Sequence, residues 1–242
     1  MKKFFVIMLI GIVAIAGVLF FNGWSENIMP EEQPSLSHEA SRSLPINEKQ
    51  TQAQPAEDTA PASNKGIDIL LVNASHPVPQ HYEPVELINL YDQRGRHFGL
   101  ANSDIQLCKI VFNAIETMFS AAEKDGVDGF IVTSGYRSFD NQAEVFANSP
   151  DGIAAQPGTS EHETGLAFDV TAYGNENFEL TPQFEWLSEH CGEYGFILRY
   201  PKGKEDITGY SYEPWHYRYV GTPYAKEIMD KGIALEEYLG QP

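Results

Sequence analysis

The sequence predicts an α+β domain in which helices flank a mainly antiparallel central sheet. A single N-terminal transmembrane helix and a disordered linker precede it. Three observations lead there. Strand-like and helical patterns mix along residues 66–242 without a repeating βαβ rhythm, which disfavours a doubly wound parallel sheet. Residues 25–65 are rich in Glu, Gln, Pro, Ser and Ala, with almost no aromatic or β-branched residues. Such a segment buries too little surface to offset its ordering entropy. Before it, Lys2 and Lys3 lead into an uncharged apolar run of 18 residues, Phe4 to Phe21.

That run meets the minimum of roughly 17 residues for a spanning helix. The lysines favour a cytoplasmic N-terminus and place the rest of the chain outside. Ala14-Ile15-Ala16 has the form of a signal-peptide cleavage site, which would make the protein secreted. The apolar run continues to Phe21, so an uncleaved anchor over 1–24 is the reading taken, with 25–65 as a tether.

The globular pattern then begins. Ser103 and Gln106 have capping-box spacing. Ile105, Cys108, Val111, Phe112, Ile115, Met118, Phe119 and Ala122 follow at three- and four-residue spacing, a helix with one buried face that ends at Gly126. Phe130 to Thr133 reads as a buried strand running into a turn at Gly135-Tyr136-Arg137. A short helix through Gln142 and Phe146 comes next. Thr164 to Tyr173 reads as a strand, with Phe168 and Val170 on one face and Ala167 and Asp169 on the other. Thr181-Pro182 opens a helix closed by Gly195, with Pro at its first position. Phe196–Tyr200 and His216–Val220 read as strands, and Thr222-Pro223 opens the last helix.

A formal net charge of −18 argues against nucleic acid as a partner. The two cysteines, Cys108 and Cys191, lack zinc-type spacing and are expected to be buried on helices.

Chemistry concentrates in two segments, Ser160-Glu161-His162-Glu163-Thr164-Gly165-Leu166-Ala167-Phe168-Asp169 and Glu213-Pro214-Trp215-His216. His162, Asp169 and His216 can hold a metal ion with one position left for water. Glu213, three residues before His216, is free to take that water's proton. The combination suits a zinc peptidase or amidase, although iron or manganese also accepts two His and a carboxylate. Arg137, at the turn, offers forked donors for a terminal carboxylate or a tetrahedral oxyanion. Glu161 and Glu163 are expected at the exposed rim, and Trp215 is expected to pack behind Glu213 and His216. Arg199 and Arg218 are expected in structural ion pairs.

The chain resembles the VanY-type D-alanyl-D-alanine carboxypeptidases, zinc peptidases of the fold shared by VanY, LdcB, VanX and hedgehog-like domains. Ser160, His162, Gly165, Ala167 and Asp169 fill that family's first motif, and Glu213 and His216 its second. Ser134-Gly135-Tyr136-Arg137-Ser138, Leu70 to Asn73 and Tyr194 to Pro201 extend the likeness over about 66–242. The resemblance implies the same α+β fold, one Zn2+ per domain on His162, Asp169 and His216, and Glu213 as the base. It also implies Arg137 at the substrate, with Gln142 and Ser160 as hydrogen-bonding neighbours. The implied substrate is the D-Ala-D-Ala end of a peptidoglycan stem peptide, met on the extracytoplasmic side of the cell membrane. Two alternatives stay open: an L,D-carboxypeptidase acting on tetrapeptide stems, and a non-catalytic zinc-bearing cell-wall-binding module.

Overall fold

The structure, a computed structural model, describes residues 69–149, 154–174 and 177–241. The expected anchor over 1–24 and tether over 25–65 lie outside the described residues. Among the described residues, no helix is long and apolar enough to cross a membrane.

In chain order the elements are β1 (Leu87–Asn89), β2 (Gly99–Leu100), β3 (Gln106–Cys108), α1 (Lys109–Lys124), β4 (Phe130–Ser134), α2 (Phe139–Asn148), β5 (Ala167–Ala172), α3 (Pro182–His190), β6 (Phe196–Leu198), α4 (Glu205–Thr208), β7 (His216–Tyr219), α5 (Thr222–Lys231) and α6 (Leu235–Leu239). The main sheet has the order β2-β4-β5-β7-β6, with β1-β3 as a separate pair. Only β2 and β4 run parallel; the other neighbours are antiparallel. The expected α+β architecture, helices around a mainly antiparallel sheet, is the one observed.

Alternation in the central strands sets the two faces. Phe168 and Val170 of β5 and Tyr217 of β7 are buried in the core. The apolar stripe of α1, Val111, Ile115, Met118, Phe119 and Ala122, covers that side. Phe119 stacks on Phe130 at 4.3 Å and meets Phe168 edge-on at 6.4 Å. Each such ring contributes about 1.5–3 kcal/mol through burial. The other side of β5 is left to Asp169.

Several local expectations are corrected. The Ser103–Gln106 capping box does not form, because Gln106 pairs with Asn89 across β1 and β3. The helix starts only at Lys109, and its N-cap Cys108 makes no side-chain capping bond. Both cysteines are free and buried, but Cys108 ends a strand rather than lying on a helix. Residues Glu161–Thr164 coil into a 3-10 turn, so β5 starts at Ala167 instead of Thr164. Gly165 closes that turn at φ +69°, where an added Cβ would sit 2.9 Å from Cys108 Sγ. Finally, α5 is not the last helix, since α6 follows it and buries Leu235 and Glu236.

Candidate active site

Strand pairing assembles the site. β4, β5 and β7 lie side by side, with Ser134 opposite Asp169 and Asp169 opposite His216. Two of the three expected ligands are therefore cross-strand neighbours, where side chains on one face meet. The third, His162, arrives on the 3-10 turn. Its Nδ1 lies 2.7 Å from the Gly135 carbonyl oxygen, and the Arg137 amide donates back to the His162 carbonyl at 3.2 Å. Donation from Nδ1 to a carbonyl leaves Nε2 as the lone-pair nitrogen. Glycine is required at 135, because a Cβ there would lie 2.3 Å from the Gln106 carbonyl oxygen.

His162 Nε2 is 3.4 Å from Asp169 Oδ2, and His216 Nδ1 is 3.0 Å from Asp169 Oδ1. One ligand atom from each residue lies within 4.8 Å of the other two. Tetrahedral zinc with bonds near 2.0–2.1 Å would hold its ligand atoms about 3.3 Å apart. Two imidazoles and a carboxylate are also zinc's ordinary donors, so the residues present fit the ion.

The surroundings favour the ligating forms of two of these groups. Burial lowers His162 below its ordinary pKa, which keeps the ring neutral. Burial would raise Asp169, but His162 and His216 outweigh it and hold the carboxyl well below the usual range. Burial would lower His216, but Asp169 and Glu161 prevail and push it up to about 9. A proton must therefore leave His216 as metal binds.

Glu213 occupies the tight turn before β7, where the His216 amide donates to its carbonyl at 3.2 Å. Its Oε2 is 3.8 Å from His216 Nδ1. Burial raises its pKa, with His216 and Arg137 opposing the rise. Arg137 Nη1 donates to Gln142 Oε1 at 2.8 Å, its Nε reaches Ser134 Oγ at 3.3 Å, and its Nη2 is 3.6 Å from Asp169 Oδ2. Gln142, fully buried, donates to the Ala155 carbonyl at 2.7 Å and so holds the acceptor that aims the guanidinium. Ser160 is buried and lines the same cleft. The cleft measures about 200 Å³, and its lining includes all seven expected site residues. Arg137 is the sole Arg or Lys among the described lining residues.

Other residues depart from expectation. Glu161 is not a rim residue: it is 1% exposed, and one of its oxygens accepts from both Arg199 Nε and Arg218 Nη1 at 2.7 Å. Glu163 is also buried and accepts the Gly158 amide at 2.7 Å. Glu161 reads as a rim residue in sequence because its charge partners lie 38 and 57 residues further along the chain, whereas Glu163 is held by a nearby backbone amide. Trp215 does not pack inside; it is 42% exposed at the cleft. Tyr200 and Tyr210 form a wall that sequence reasoning missed, with Tyr200 4.9 Å from the His216 ring and 4.7 Å from Tyr210. The Tyr200-Pro201 step beside the Glu213 turn was the available signal. Arg199 and Arg218 are in buried structural ion pairs, as expected.

Comparison with known proteins places this geometry. The model of the VanY family, D-alanyl-D-alanine carboxypeptidase, matches residues 104–222. A D-alanyl-D-alanine carboxypeptidase of Enterococcus faecium is 38% identical over 174 residues, 71% of this chain and 57% of that protein. The match thus spans little more than half the length of that relative. Among solved structures, the LdcB LD-carboxypeptidase is 39% identical with a TM-score of 0.63, covering 71% of this chain and 85% of that one. A Zn(II) complex of a variant of the vancomycin-resistance D,D-pentapeptidase VanY is 37% identical with a TM-score of 0.58, covering 70% and 97%.

Proposed function

The chain belongs to the VanY family of D-alanyl-D-alanine carboxypeptidases, and from that premise we propose that it is a zinc carboxypeptidase removing the C-terminal D-alanine of peptidoglycan stem peptides. The observation that carries this reading is the unspent Glu213 carboxylate, 3.8 Å from the inward nitrogen of His216 in the cleft that gathers His162 and Asp169. A module that only bound wall peptides would have no need of a half-buried, unspent carboxylate at that place.

His162, Asp169 and His216 would hold the ion, which supplies a bound water with a pKa lowered to about 7. Glu213 takes a proton from the attacking water and returns it to the leaving amine nitrogen. Its raised pKa suits both halves of that task. Arg137, held by Gln142 and Ser134, presents its free donors to the substrate carboxylate or to the oxyanion that develops in attack. In a chain of net charge −18 that local cation matters, because an anionic peptide is otherwise repelled. Screening confines the overall repulsion to roughly 8 Å at physiological salt. Ser160, buried in the same cleft, would serve as a hydrogen-bonding neighbour of the substrate.

The Lys2-Lys3 start and the apolar run from Phe4 to Phe21 support a single-pass anchor that presents the domain outside the cell membrane, where wall peptides lie. The likeness to an LD-carboxypeptidase supports a second reading, in which the same machinery cuts the L,D bond of tetrapeptide stems.

The test incubates zinc-loaded protein with a stem pentapeptide ending in D-Ala-D-Ala and with the matching tetrapeptide, and follows products by mass. Loss of one alanine from the pentapeptide alone, abolished by Glu213→Gln, supports the D,D reading. Cleavage of the tetrapeptide alone changes the bond to L,D. No cleavage of either peptide by zinc-loaded protein overturns the peptidase reading.

A further inference from the structure

Behind the cleft lies a buried cluster that the reaction does not use. Glu161, Arg199, Arg218 and Glu236 are each at most 1% exposed, and their two negative and two positive charges cancel. Arg199 Nη1 and Nη2 donate to the Glu236 carboxylate at 2.9 and 2.7 Å. Glu161 Oε1 accepts from both Arg199 Nε and Arg218 Nη1 at 2.7 Å. Arg218 Nη2 reaches the Leu70 carbonyl at 2.7 Å, and Asn73 Nδ2 reaches Glu236 Oε1 at 3.0 Å. The cluster thus joins the first described residues, the 3-10 turn of Glu161, the residue after β6, strand β7 and α6.

One end of this network is open. With Oε1 committed to two guanidinium groups, Glu161 Oε2 is buried without a hydrogen-bond partner, and so is His216 Nε2. These two orphans face each other across 3.5 Å. Leaving a buried polar atom without a partner is costly, so two of them side by side point to a shared purpose. The His216 ring offers Nδ1 to Asp169 on its other side, at 3.0 Å.

We propose that Glu161 is a positioning residue for the metal site: its open oxygen takes the Nε2–H of His216 and so presents Nδ1 of that ring to the ion. The proposal rests on the reading of His162, Asp169 and His216 as the ligands. An imidazole has one proton in its neutral form, and an acceptor on Nε2 decides which nitrogen keeps it. The two arginines hold Glu161 still and ionised, so the acceptor cannot turn away. Without such an acceptor, His216 can lose alignment or present the wrong nitrogen. The sequence offers a reason for the neighbouring position as well: residue 161 sits on the same 3-10 turn as His162, so one turn supplies a ligand and the orienter of another.

The experiment compares zinc affinity, by chelator competition at pH 7.5, of the protein stripped of metal and of Glu161→Gln and His162→Ala. Groups that orient ligands typically tune metal affinity by about 10–100-fold, and a fall of that size is expected for Glu161→Gln. His162→Ala should bind far more weakly still. Unchanged affinity in Glu161→Gln, within about threefold, overturns the proposal while leaving the ligand reading intact. If the unaltered protein binds no zinc, or His162→Ala binds as tightly, the ligand reading falls and the proposal with it. Because Glu161→Gln removes a buried charge partner of both Arg199 and Arg218, its folding is checked by circular dichroism. A second measurement needs no variant: long-range proton–nitrogen correlation spectra of the zinc-loaded protein. These should show His216 protonated at Nε2, with that proton slow to exchange. A His216 protonated at Nδ1, or a rapidly exchanging Nε2–H, overturns the proposal. A carboxylate serving stability alone would shift the thermal midpoint of metal-free protein without moving affinity or tautomer.

Discussion

Replacing Glu236 by Ala tests whether the buried charges act as one network. Glu236 lies on α6, and its carboxylate accepts three buried donors: Arg199 Nη1 at 2.9 Å, Arg199 Nη2 at 2.7 Å and Asn73 Nδ2 at 3.0 Å. The substitution leaves Arg199 fully buried with one of its three hydrogen bonds to carboxylates, the Nε bond to Glu161. Breaking one side of a buried pair costs about 3–5 kcal/mol. Each kcal/mol moves the midpoint by about 2–4 °C in a domain of this size, so the expected fall in Tm is about 6–20 °C. Thermal melts followed by circular dichroism, with chelator present so that metal does not contribute, provide the readout. Glu227, which pairs with Lys231 on the surface of α5, is the control, and Glu227→Ala should leave the midpoint nearly unchanged. A shift below about 2 °C for Glu236→Ala would refute the reasoning, because it would mean that Arg199 finds water or another acceptor.

Three further outcomes follow from the same geometry. Gly135→Ala forces a Cβ to within 2.3 Å of the Gln106 carbonyl oxygen, so the turn that accepts from His162 must shift. Overpacking of this kind costs about 1–3 kcal/mol, and peptidase activity should fall with stability; a fully active variant of unchanged Tm contradicts this. Burial raises the Glu213 carboxyl above its ordinary 4.5, and the base works only when deprotonated. The kcat/KM profile should therefore fall as pH drops through a value above 4.5; an acid limb below 4.5 would contradict the assignment. Burial also pushes the Cys191 thiol up to about 12, leaving almost no thiolate near neutrality. Peptide mapping after iodoacetamide treatment at pH 8 should find Cys191 unmodified in folded protein and modified in denaturant, whereas rapid labelling of folded protein would contradict its burial.

Much of the fold could be read from the chain because its signals are local. The stripe from Val111 to Ala122, the Pro at the start of α3 and the alternation in β5 each depend on near neighbours. The candidate metal set was legible for a related reason: His162, Asp169, Glu213 and His216 fall in two short segments, and direct pairing of β5 with β7 closes the gap between them. What escaped depends on distant partners. Gln106 reads as a helix cap until Asn89 pairs with it. Glu161 reads as a rim residue until Arg199 and Arg218 arrive from β7 and the end of β6, much later in the chain. Five-residue α6 is too short for its periodicity to be seen, yet it supplies Glu236 to the buried cluster.

The most direct test of the account is zinc-edge anomalous diffraction from crystals of the zinc-loaded protein. The account predicts a single peak per chain in the cleft, bonded to His162 Nε2, the Asp169 carboxylate and His216 Nδ1, with Glu213 nearby and unbound. A peak elsewhere, or one placed between His216 Nε2 and Glu161, would contradict it.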